Sequence, residues 1–238
     1  MDLQACIAAA ADAVGLLAKF PLQWLGVTLV FFIGAEALMV VPYVGFVLKV
    51  VVAMLLMTQF VAMFAAAAAG QAPSPLDLLG AFGLPASSQA VLALAALVPF
   101  AAGMLFLYFA SGPAAPRFFF GNLLKRADKP PAPADFLRLK YVLHLMSLPF
   151  ALLPGAIALR GLVGAEALRQ AISAAMIHWL PILLIALITL AFEWMQVRLS
   201  SWTPKAAAMA VGVVLTLLFV AWQVAIVYAV SAHAFPLQ

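Results

Sequence analysis

Six apolar runs, each about twenty residues long and divided by short polar breaks, constrain this chain more than any motif in it. A helix rises about 1.5 Å per residue, so about 20 apolar residues cross a hydrocarbon core about 30 Å thick. The runs near Pro21–Val41, Phe46–Ala69, Gln89–Ser111, Tyr141–Leu159, Trp179–Val197 and Ala206–Val230 meet that length. Their apolar residues are continuous rather than alternating, which excludes a membrane β-barrel. Backbone groups in lipid must be satisfied within their own segment, so each run is expected to be a helix. Composition agrees: 68% of the residues are hydrophobic and only 8% charged, where a soluble domain carries about a quarter. The expectation is an all-α polytopic membrane protein, with about six transmembrane helices and short interfacial amphipathic helices.

One integral membrane domain accounts for residues 1–238. An N-terminal helix over 1–20 lies at the interface, with Leu3, Ile7, Ala10, Val14 and Leu17 at helical spacing. Asp2, Asp12 and the lack of an early basic cluster argue against a signal peptide. Spans one to three occupy 21–111, a basic Pro-rich loop 112–140, spans four to six 141–230, and a tail 231–238. With six spans, Lys19, Arg160 and Arg169 fall on one side of the membrane. Lys49, Arg117, Lys125, Arg126, Lys129, Arg138, Lys140, Arg198 and Lys205 fall on the other. The positive-inside rule places the richer side in the cytoplasm and both termini outside. Trp24, Tyr43, Tyr141, Trp179 and Trp202 are expected to anchor span ends at the interface.

The long loop reads as an extended segment, because proline is dense at Pro113, Pro116, Pro130, Pro131 and Pro133. Within it, Arg117, Phe118, Phe119, Lys125 and Arg126 place cations beside aromatics, a composition suited to anionic lipid headgroups. Packing on the chain's own helices is the other reading of the same residues. Pro75–Phe82 is expected to form one or two helical turns, and Gly161–Ile177 an amphipathic helix with Leu168, Ile172 and Met176 on its apolar face. A weak repeat also shows: a helix, a span ending near an acid (Glu36, Glu193), then a span carrying a glutamine (Gln59, Gln223).

The segments Phe20–Leu25, Val41–Gly45 and Asp77–Phe82 resemble the first half of the YciC-like bacterial inner-membrane proteins. Leu153–Leu159, Glu166–Ser173, His178, Trp179, Pro181 and Ile226–Phe235 resemble the second half. The resemblance implies a six-helix membrane fold in a bacterial inner membrane and roles in envelope homeostasis, and it brings no catalytic residues. Lys19 and His178 depart from the pattern. Relatives carry more basic residues before the first span, which bears on orientation, and an asparagine before the fifth.

Chemistry-bearing residues are few. Glu36 lies inside the first span, where a charge costs about 2.5–3.5 kcal/mol on insertion scales. Lys49, at similar depth across a short hairpin, is its expected partner; an intramembrane proton or cation site is the alternative. Gln59 and Gln223 are polar groups deeper in the bilayer, explained by interhelical hydrogen bonds or, if they converge on Glu36, by a polar path. Glu193 is expected to pair with Arg198. Pro149, Pro154 and Gly155 can break the fourth span. His178 and His233 can approach one another, while His144 lies on the opposite side; their spacing makes no metal site. Met54, Met57 and Met63 read as lipid-facing packing. The lone Cys6 excludes an internal disulfide. Hydrolase, zinc-protease and phosphate-loop signatures are missing, and no basic domain suits nucleic acid. The resulting expectation is a non-catalytic inner-membrane accessory or envelope-homeostasis factor without catalytic, cofactor or metal residues. Its partners would be membrane lipids, with anionic ones favoured, a membrane protein or a second copy. A small carrier or channel using Glu36 is the alternative.

Overall fold

The computed structural model describes residues 3–41, 43–120, 133–202 and 205–235. Among them the chain forms ten α-helices and two 3-10 turns, with no strand. The helices are α1 (Leu3–Lys19), α2 (Pro21–Leu38), α3 (Gly45–Ala68), α4 (Ala86–Ser111), α5 (Ala114–Phe120), α6 (Pro133–Ser147), α7 (Leu153–Arg160), α8 (Gly164–Ile177), α9 (Trp179–Trp202) and α10 (Lys205–Ala234). Among the described residues six segments are long and apolar enough to cross a membrane: Pro21–Leu38, Gly45–Ala68, Ala86–Ser111, Leu137–Arg160, Trp179–Gln196 and Val211–Ala234. Large apolar side chains stand outward along these helices, among them Leu22, Leu105, Phe109 and Leu218. In water such a surface would be an aggregation hazard; in a bilayer, lipid covers it. The chain is a polytopic helical membrane protein.

Local chemistry explains the ends. Pro21 and Pro133 open their helices, where a missing N–H is no loss. Asp135 in the first turn of α6 suits the positive helix end and meets Arg138 at 3.4 Å. Gly161 closes α7 with φ 62°, and the Gly161 and Leu162 amides donate back to the Ile157 and Ala156 carbonyls. The connection Pro75–Gly83 is a 3-10 turn. Ser74 Oγ accepts from the Leu76 amide there, and the Ser74 amide donates to Asp77 Oδ2. Gln89 on α4 donates to the Phe82 and Leu84 carbonyls and ties that turn down.

The core lies where α3, α4, α7 and α10 meet, around Phe60, Phe64, Leu92, Leu153 and Val224. Small residues set the crossings. A Cβ at Gly103 would stand 2.8 Å from both Leu139 and Leu143, and one at Gly155 would strike Ser231. Without a hydrophobic force between helices in lipid, such close approach is what packing energy requires.

Several expectations are corrected here. The loop 112–140 is not extended at its described ends. Residues Ala114–Phe120 are helical, and α6 starts at Pro133, because proline in a first turn initiates a helix. Trp24 is no interfacial anchor: it is 2% exposed, stacked on Phe64 at 3.9 Å, and donates Nε1–H to the Leu16 carbonyl of α1. Tyr43, Tyr141 and Trp179 do stand outward, and the Trp202 side chain lies outside the described residues. Helix α8 buries Ala167, Ala171, Ala174 and Ala175, while Met176 is exposed. Its packed face is therefore the small one. Met63 is in the core, while Met54 and Met57 are half-buried and line a cleft between the helices.

Candidate functional site

Four charged groups within the spans, Glu36, Lys49, Lys140 and Glu193, form two pairs at one end of the bundle. Glu36, in the last turn of α2, meets Lys49, in the second turn of α3, at 2.5 Å between Oε1 and Nζ. The connecting turn is tight: Gly45 donates to the Val41 carbonyl, and Tyr43 takes a φ of 63°. Glu36 is 46% exposed, on the outer surface of the helices rather than deep among them. Glu193 on α9 takes its described partners from α6, with Lys140 Nζ 2.9 Å from Oε1 and His144 Nε2 3.5 Å from Oε2. Arg198, the partner expected from the sequence, lies over the Trp194 ring. Glu193 is 17% exposed, so this second pair is the more enclosed.

Next to both pairs runs an apolar cleft. Its inner lobe, about 170 Å³, is walled by the break in the fourth span and by α9 and α10. Its outer lobe, about 410 Å³, continues between α3, α4 and α6 to Lys49. The lobes share Met54, Met57, Ala95, His144, Ser147 and Gln223. The fourth span breaks as expected: α6 stops at Ser147, Leu148–Phe150 turns as 3-10, and α7 resumes at Leu153. Pro149 and Pro154 have no N–H to give the carbonyls four residues earlier.

The four candidate polar residues thus divide. Glu36 and Lys49 are joined, and Lys49 and Gln223 border one cleft. Gln59 does not join them, because its amide packs against Gly80 of the 3-10 turn. The repeat does not extend to partners either: Glu36 pairs forward to α3, and Glu193 pairs back to α6. Sequence reasoning missed Lys140, His144 and Ser147. Their spacing of four and three is one polar stripe on a helix, and it was hidden by assigning Lys140 to a loop. Of the headgroup candidates, Arg117 is exposed on α5. The side chains of Phe118 and Phe119, and Lys125 and Arg126 entirely, lie outside the described residues.

At the opposite end, His178 and His233 stack edge to face at 5.7 Å. Burial and the neighbouring His233 push the His178 pKa down from its ordinary value. Among the described residues no group of three metal-ligating side chains forms around them. On the exposed face of α8, Glu166 accepts from Arg169 and Gln170, and these hydrogen bonds hold its carboxyl below the usual carboxylate range. Comparison with protein-family models, with curated proteins and with solved structures found no match.

Proposed function

We propose that this chain is a non-catalytic multi-pass protein of a bacterial inner membrane. It acts through helix and lipid contacts as an accessory or envelope-homeostasis factor, the role that the YciC-like resemblance implies. One observation carries the reading. Glu36 and Glu193 are each paired with a lysine, with only the buried Glu193 Oε2 left without a hydrogen bond among the described residues, and the space beside them is walled mainly by aliphatic and methionine side chains. An ion path needs polar walls or unsatisfied carbonyls along its length.

A carrier is the second reading, favoured by one feature: the broken fourth span borders the same cleft as Gln223 and His144. Purified protein in sealed vesicles under a proton or potassium gradient separates the two. Lipid-contact function predicts flux equal to protein-free vesicles, with Glu36→Gln unchanged. Flux above that background, abolished by Glu36→Gln, would establish the carrier and overturn the first reading.

A further inference from the structure

The cleft has the dimensions and the chemistry of a site for a lipid tail. Along α3 its wall runs from Lys49 to Met57, and along α10 from Val220 to Val230. The outer lobe, from Lys49 to Met57, covers about 12 Å, a large part of one leaflet's depth, and the inner lobe continues past mid-bilayer to Ile182 and Val230, a turn from the opposite end of the spans. The walls carry Met54 and Met57, whose flexible thioethers adapt to an irregular chain. Helix interiors ordinarily close-pack, with few voids larger than a water molecule. This cleft is open at its side, so in a bilayer its walls lack contact partners unless hydrocarbon enters from the surrounding lipid.

The two ends of the cleft differ. Its inner end, at Leu152, Ile182 and Val230, is apolar, while its outer end holds Lys49. An ammonium has three N–H donors, and Glu36 accepts from one of Lys49's. This end also opens toward the membrane side that carries nine basic residues against four acidic ones, Glu36, Asp128, Asp135 and Glu193. The other side carries three basic and four acidic residues. We propose that the cleft holds one acyl chain of an anionic phospholipid from the cation-rich leaflet, with the headgroup phosphate at Lys49. The proposal rests on the reading of the chain as a protein that works through lipid contacts.

The test is photocrosslinking in vesicles of phosphatidylcholine doped with a trace of phosphatidylglycerol or phosphatidylcholine bearing a diazirine in mid-chain. Peptide mapping then locates the label. The cleft site predicts label at Met54, Met57 or Val227, stronger with the phosphatidylglycerol probe by about twofold, below the about fivefold worth of an unpaired cation at an anionic surface because Glu36 already offsets part of the Lys49 charge. In Glu36→Gln/Lys49→Gln that preference disappears. Ala53→Leu and Ala186→Leu fill opposite lobes and reduce cleft label, while label on outward Leu105 and Leu218 persists and reports that the protein is folded and embedded. Label confined to outward residues in the unmodified protein overturns the cleft site and leaves the lipid-contact reading standing. Equal cleft label from both probes overturns the anionic headgroup. Glu36-dependent ion flux in the same vesicles overturns the reading beneath both.

Discussion

Lys49 reaches Glu36 across a turn so tight that a Cβ at Gly45 would collide with the Leu38 carbonyl. The pair therefore fixes how α2 leaves the bundle and α3 returns, and each residue is costly in lipid without the other. Glu36→Ala is expected to lower the yield of folded protein and its stability by about 1–2 kcal/mol. That is below the ~2.5–3.5 kcal/mol of a charge at a span centre, because the pair sits near the span end. Glu36→Ala/Lys49→Ala should recover part of the loss. Thermal unfolding in detergent checks this; a double variant no better than the single would mean that the two side chains act independently.

Gly155 and Ser231 mark the contact of α7 with α10. Ser231 is fully buried, and its hydroxyl has no hydrogen-bond partner among the described residues. Gly155→Ala should destabilise by about 1–3 kcal/mol through overpacking. Adding Ser231→Gly removes the atoms struck and should restore most of that stability, whereas alanine's better helix propensity alone would have made Gly155→Ala favourable. A thermal shift series of the three variants decides it.

His178 supplies a pH dependence. Its pKa in the fold lies below the ordinary 6.5, through burial and His233. The unfolded chain therefore takes up this proton more readily than the folded one. Stability from this group is fully present above about 6.5 and is lost as pH falls below it, toward the folded value. His178→Asn should flatten unfolding profiles below about pH 6.5. An unchanged slope would show that His178 is not the group responsible.

How far the sequence is legible follows from what lipid hides. The spans were readable because length and apolar continuity are all a bilayer requires. The break at Ser147–Leu152 was readable because proline lacks an N–H, and Glu36–Lys49 because a short hairpin matches their depths. Inside and outside were not readable. Lipid tails are as apolar as a core, so hydrophobicity does not tell Met54, facing the cleft, from Leu105, facing outward. Trp24 looked like an anchor because nothing local shows that α1 supplies its hydrogen-bond acceptor. Glu193 looked like Arg198's partner because Lys140 lies more than fifty residues away in the chain.

Orientation has its own probe. The excess of cations on the loop side predicts that both termini face the periplasm. Cys6 is the only thiol. A membrane-impermeant maleimide should label it in cells with a permeabilised outer membrane. Labelling that requires inner-membrane lysis, with a cysteine introduced at Lys125 then labelled from outside, would reverse the orientation.

Lipid retention by the purified protein bears most directly on whether this molecule works through lipid contacts. Native mass spectrometry after extensive detergent washing should show one phospholipid per chain, predominantly anionic, and lost in Ala186→Leu. A lipid-free chain would contradict it, as would a ladder of adducts without preferred stoichiometry or headgroup, alike in the unmodified protein and in Ala186→Leu.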